Sequence, residues 1–143
     1  MKLIISILLL LFHFILPQGA GELTIKVSNI DPIKGEVYIA VYNNSKDYMD
    51  IDAAAFRKIV PVTAETETIV IGGIQEGEYA IAVFQDINGN GELDTRGAGI
   101  PKEPFGFSND ARGKFGPPKY KKAQFSFSGN MEINIKLVNN ANK

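Results

Sequence analysis

Residues 78–85 read E-Y-A-I-A-V-F-Q, and residues 86–95 follow at once as D-I-N-G-N-G-E-L-D-T. The first eight carry apolar side chains at a period of two between polar ends, the signature of a strand rather than a helix. The next ten resemble a calcium loop. Counted from Asp86, oxygen-bearing side chains fall at positions 1, 3, 5 and 9 (Asp86, Asn88, Asn90, Asp94), with Gly91 at position 6. A helix–loop–helix calcium motif needs helices on both sides and a bidentate glutamate at position 12. Here a strand leads in, and Gly97 stands at position 12. The reading is therefore a strand running into an oxygen-rich turn, which places the chain among all-β folds.

Outward from that strand the same alternation recurs. In 22–28 Leu23, Ile25 and Val27 share one face; in 36–42 Val37, Ile39 and Val41 do so, against Tyr38, Ala40 and Tyr42. Further apolar runs cover 56–62, 66–71, 124–128 and 131–138. Pro61 marks an edge strand or a strand end. Asp31-Pro32, Gly72-Gly73 and Glu76-Gly77 are turn signals, and Gly129-Asn130 has the chemistry of a hairpin between the last two strands. One helical turn is expected at 52–56. About seven short strands in a single domain, 22–143, predict an antiparallel β-sandwich of the immunoglobulin or transthyretin type. One long irregular loop, 87–121, precedes the last two strands. It holds seven of the 14 glycines, with Phe105, Phe107, Phe115 and Tyr120 as expected apolar anchors.

Residues 1–21 read as a signal peptide. Lys2 precedes an apolar run of 14 residues, 3–16, interrupted only by Ser6 and His13; Pro17 and small residues follow. That run is short for a membrane span, which needs about 20 residues. The expected destination is the periplasm or the extracellular medium, with no membrane span in the mature form.

The only histidine is His13, and the chain has no cysteine. A domain beginning near Gly21 or Glu22 then lacks both residue types. That excludes Ser-His-Asp and Cys nucleophile chemistry, and zinc, haem or iron–sulfur sites ligated by His or Cys. Hard cations held by oxygen remain. The expected cofactor is a structural calcium ion on Asp86, Asn88, Asn90, Glu92 (through its carbonyl) and Asp94, at the micromolar-to-millimolar affinity of a weakly charged site. Leu93 is expected to plug the loop into the core.

Segment 95–122 carries seven basic and two acidic residues, a net of +5, whereas the remainder of the domain is acidic. Its candidate ligand-binding residues are Arg112, Lys114, Phe115 and Tyr120, facing solvent. Such a surface suits an anionic glycan, a lipid head group or an envelope protein. Nucleic acid is not expected.

The run from Asp86 through G-I-P-K-E-P-F-G-F-S-N-D-A-R-G-K-F-G-P-P-K-Y-K-K-A-Q-F, with the preceding E-G-E-Y-A-I-A-V-F-Q-D, resembles the bacterial secreted domain-of-unknown-function family 2141. The resemblance covers the whole domain. It singles out Gly99, Ile100, Pro101, Gly106, Phe107, Ser108, Asn109, Ala111, Gly113, Gly116, Pro117 and Pro118. It implies export and one β-domain and assigns no activity. The strand with its D-x-N-x-N-G-x-x-D unit is also similar to calcium-binding repeats of Gram-positive surface adhesins, and G-E-Y with alternating apolar residues is similar to transthyretin-like and collagen-adhesin domains. Three functional classes follow: a non-enzymatic exported binding domain, a structural subunit of an envelope assembly, and a glycan-active enzyme using paired carboxylates from Asp47, Asp50, Asp52, Asp86 and Asp94. The expectation is the first, not an enzyme. Ser108 and Asn109 are expected to cap turns in a buttressed loop.

Overall fold

The computed structural model describes residues 19–140. The apolar run expected to be a signal peptide lies outside the described residues. Ten strands form: β1 (Gly21–Ser28), β2 (Glu36–Tyr42), β3 (Phe56–Pro61), β4 (Thr66–Ile74), β5 (Gly77–Asp86), β6 (Thr95–Arg96), β7 (Ile100–Pro101), β8 (Phe105–Phe107), β9 (Phe125–Phe127) and β10 (Met131–Lys136). One helical turn, α1 (Tyr120–Ala123), and 3-10 turns at Ile51–Ala53 and Ser108–Asp110 complete the set. The helical turn expected at 52–56 is the first of these 3-10 turns, started by the Asp50 carboxylate accepting from the Asp52 amide.

The fold is an all-β sandwich. One sheet has the order β10-β1-β4, and the other β3-β2-β5-β8, with β9 also on β5. Pro61 ends β3, which is an edge strand as its sequence implies. The inward residues of β1, β2, β4 and β5 bury one core: Leu23, Ile25, Val27, Val37, Ile39, Val41, Ile69, Ile71, Ile81 and Val83, with Phe127 and Ile135. Each such side chain contributes about 1.5–3 kcal/mol by leaving water.

Two features depart from the expected pattern. Gly129-Asn130 does not join a hairpin. β9 pairs with β5 in one sheet and β10 pairs with β1 in the other, and the latter pair is parallel, with Leu23 opposite Met131 and Ser28 opposite Lys136. The turn is a crossing between layers. It is seated where Gly21 passes so close that a Cβ there would lie 2.0 Å from the Gly129 carbonyl oxygen. Beyond β10, Phe105 and Val138 exchange backbone hydrogen bonds of 3.1 and 2.8 Å, stitching the two sheets along one side.

The segment 87–121 is also less irregular than expected. It supplies the β6–β7 hairpin and β8, which pairs with β5 through Ala82–Phe107, Val83–Gly106 and Phe84–Phe105. Three residues, F-G-F, are too few to show a period. The middle one points at the core, where a Cβ on Gly106 would come within 2.8 Å of Ile135 Cγ2.

The outer face of the β2–β5 sheet is covered as well. Ala80, Phe107, Ala111 and Ala123 form a second apolar cluster with Tyr48 and Tyr120 packed on it. Ser108 ties this layer together: its hydroxyl accepts from the Ile81 amide at 2.9 Å and donates to the Ala123 carbonyl at 2.5 Å. Asn109 donates to the carbonyls of Lys122 and Gln124. Both residues thus join distant segments rather than capping their own turn.

Candidate functional site

The last residue of β5 carries the acidic loop. Asp86 is fully buried. Its carboxylate accepts from the Gly89 amide through Oδ1 and from the Gly91 amide through Oδ2, both at 2.8 Å. These two charge-assisted bonds close the turn from within. The next side chains fold over it. Asn88 Oδ1 accepts from the Asn90 amide at 3.2 Å, and Asn90 Oδ1 from the Glu92 amide at 3.0 Å. Asn88 and Asn90 both donate through Nδ2 to Asp94, at 2.5 and 3.0 Å.

Three of the five expected metal residues, Asn88, Asn90 and Asp94, are therefore joined in one ring of hydrogen bonds, and Asp86 lies beneath it with its carboxylate taken up by the Gly89 and Gly91 amides. Glu92 enters through its amide alone, with its side chain exposed. The set fits a hard cation in type, since carboxylates and amide oxygens are calcium donors. A half-turn of either asparagine amide would present Oδ1 toward Asp94 in place of Nδ2. Among the described residues no group of three or more His, Cys, Asp and Glu stands together, so such an ion would depend on the asparagines.

Sequence reasoning missed Glu103. It is 5% exposed, and its carboxylate accepts from the Ile87 amide at 2.8 Å and the Asp94 amide at 3.0 Å. It therefore clamps both ends of the acidic loop. The neighbouring Pro104 carbonyl accepts from the Gln85 amide at 2.8 Å, and the Lys102 amide donates to the Asp94 carbonyl at 2.8 Å. A lone K-E-P in a glycine-rich stretch carries no signal of this role, because its partners lie on other loops.

Leu93 does not plug the core between the sheets. It lines a concavity on the outer face of the β2–β5 sheet, about 660 Å³ in volume. Tyr38 and Phe84, stacked with ring centroids 4.8 Å apart, form the floor with Ala40, Ala82 and Phe105. The β6–β7 hairpin and residues 113–117 make the walls. Burial and the carboxylates of Glu36 and Asp86 hold the Tyr38 phenol above its usual range. Leu93 thus belongs to both the acidic loop and the concavity, and the Tyr38 hydroxyl lies beside the loop, 3.7 Å from where a Cβ on Gly91 would stand.

Of the expected ligand residues, Arg112, Lys114 and Phe115 are exposed, and Lys114 Nζ lies 5.6 Å from the Phe115 ring centroid. Phe115 is 94% exposed, so it is not the expected anchor: it stands on the wall that residues 113–117 give the concavity and not in the core. Tyr120 does not face solvent freely. Its ring packs edge-on against Tyr48 at 5.5 Å, and its hydroxyl donates to the Glu78 carbonyl at 3.1 Å. The helical turn α1 lays it onto the second apolar cluster, apart from the other three.

The acids of 47–52 are committed to their own turns. Asp47 accepts from Asn44 at 2.9 Å, Asp50 caps the 3-10 turn, and Asp52 pairs with Arg57 at 3.1 Å.

A family model described as an uncharacterised protein conserved in bacteria, domain-of-unknown-function family 2141, matches residues 25–135. No curated protein and no solved structure matches significantly.

Proposed function

We propose a function on the premise that the chain belongs to domain-of-unknown-function family 2141, uncharacterised proteins conserved in bacteria. The protein is an exported, non-enzymatic binding domain. A calcium ion on Asp86, Asn88, Asn90, Asp94 and the Glu92 carbonyl steadies its acidic loop, and the surface around Lys114 and Phe115 meets an envelope or extracellular partner. The carrying observation is the exposed Phe115 and Lys114 tip beside an aromatic-floored concavity, whose wall is hung from the acidic loop. Support for a non-catalytic role comes from the candidate acids: Asp47 and Asp50 hold turns, Asp52 pairs with Arg57, Asp86 holds two backbone amides, and Asp94 accepts from Asn88 and Asn90. Support for export is the leader-like residues 1–21.

The metal would be structural. It would replace the asparagine-to-Asp94 hydrogen bonds with oxygen–cation contacts and fix where β6 leaves the loop. The test is thermal unfolding with calcium, with chelator and with magnesium. Calcium at millimolar concentration should raise the melting temperature, and Asp94→Ala should remove the rise. An equal response in Asp94→Ala, or none in the parent protein, would discard the calcium site. For the surface, Lys114→Gln with Phe115→Ser should weaken retention on anionic envelope material; unchanged retention would discard that role.

A further inference from the structure

We infer that the concavity on the outer face of the β2–β5 sheet is a binding site for one single-chain anionic amphiphile, a fatty-acid carboxylate. This deepens the binding reading above, and rests on it for the location of the site.

The volume, about 660 Å³, lies within the range of small-molecule sites, roughly 300–1,000 Å³. The lining chooses the chemistry. Its floor is aromatic and aliphatic, and its polar side chains are few: Thr95, Asn140, Lys114 and the tyrosine hydroxyls. A glycan needs many hydrogen-bonding partners, and this wall offers few. An acyl chain needs none.

The exposed apolar residues point to the same place. Seven large apolar side chains stand exposed among the described residues, and four of them, Met49, Ile51, Ile100 and Phe115, line this one cavity. They come from two separate segments, 49–51 and 100–115. Apolar surface gathered at one mouth from distant parts of a chain marks a binding site more often than chance exposure does.

The charge is assigned by a single group. Lys114 is the only charged residue on the lining, and it forms no ion pair among the described residues. The segment around it, 95–122, has a net charge of +5. A carboxylate at the mouth and a chain over the stacked Tyr38–Phe84 floor satisfy both features. Lys114 matches the one charge of a carboxylate, and a concavity of about 660 Å³ suits one chain rather than the two of a phospholipid.

The experiment titrates the purified protein with a dansyl-labelled undecanoic acid and displaces it with palmitate, with hexadecanol and with phosphatidylcholine or phosphatidylglycerol vesicles. Saturable one-to-one binding is expected, with palmitate the better competitor. Lys114→Gln should lower palmitate affinity about two- to fivefold, the worth of an exposed ion pair, and leave hexadecanol unchanged. Ala82→Phe, which fills the floor, should cost on the order of tenfold or more; Ile100→Asp, at the exposed rim, should do the same with no demand on the core. Three results would overturn the inference. One is no displacement by palmitate. Another is equal binding of acid and alcohol with Lys114→Gln silent. The third is a dimer whose interface is this mouth, dissociated by Ile100→Asp. If palmitate fails while the protein still binds anionic envelope material, only the inference falls; if both fail, the binding function falls with it.

Discussion

Asp86 and Glu103 hold the acidic loop from opposite sides. The Asp86 carboxylate accepts from Gly89 and Gly91, inside the turn, and the Glu103 carboxylate accepts from Ile87 and Asp94, at its two ends. Both side chains are nearly or fully buried. Four backbone amides that a tight loop would otherwise leave without partners are satisfied by two carboxylates. The β6–β7 hairpin starts directly after Asp94, so this arrangement also sets one wall of the concavity.

Glu103→Ala removes both acceptors at the loop ends. Hydrogen bonds to charged groups are worth about 1.5–3 kcal/mol, and the abandoned amides are partly buried. Stability should fall by about 2–3 kcal/mol in urea unfolding. Glu103→Gln keeps one acceptor oxygen and should fall by less. Equal stability of Glu103→Ala and the parent protein would show that the clamp does not hold the loop.

Asp86→Ala should lower stability by about 2–3 kcal/mol even in chelator, because the two amide bonds need no metal. A loss seen only when calcium is present would mean that the carboxylate acts through an ion alone. The metal-specific variant is therefore Asp94→Ala, compared with and without calcium.

Among the described residues the buried Tyr48 hydroxyl has no hydrogen-bond partner, and its ring meets Tyr42 and Tyr120 edge-on. Removing an unsatisfied polar atom while keeping the ring is neutral or stabilising. Tyr48→Phe should therefore leave the melting temperature unchanged or raise it by a few degrees. Burial, with Tyr42 adding to it, pushes the Tyr48 phenol up to about 12. The unfolded chain ionises this group near pH 10 and the folded one later. Stability should thus decline from pH 10 toward 12, and the decline should be shallower in Tyr48→Phe. A fall in melting temperature at pH 7 would reveal a hydrogen bond that the hydroxyl needs.

Glu78 sits at the start of β5 beside β9, where Ser126 and Gln124 donate to its carboxylate. The Ser126 bond and then the Gln124 bond hold its carboxyl below the usual range. A lowered folded value adds stability above the unfolded value, and that stability is lost as pH falls through the folded one. NMR titration should place Glu78 below an ordinary glutamate, and Ser126→Ala should raise it. No change in Ser126→Ala would assign the shift to another cause.

Much of this was legible in the residues. The period-two runs at 22–28, 36–42 and 78–85 are β1, β2 and β5 within a residue or so, because burial of one sheet face writes itself locally into alternate positions. The bonds of the acidic turn are local too: Asn88 and Asn90 donate to Asp94, and Asp86 accepts from the amides of Gly89 and Gly91. Gly129-Asn130 misled, since a turn signal states that the chain reverses and not which strand it then joins. Of the two readings of Phe115, anchor and solvent-facing ligand residue, the first is wrong and its exposure agrees with the second. An aromatic among glycines reads as an anchor, and here it projects into solvent.

Local chain chemistry thus carries the all-β character, the main strands and the break at Pro61, where β3 ends as an edge strand. These are local consequences of side-chain alternation and turn chemistry. The parallel β1–β10 pair, the clamp by Glu103 and the concavity floored by Tyr38 and Phe84 arise only when the chain folds up. Each joins residues that are distant in the chain, as Glu103 is from Ile87, 16 positions away. Such contacts are chosen by how the two sheets close on a shared core, and no single stretch of chain carries that information.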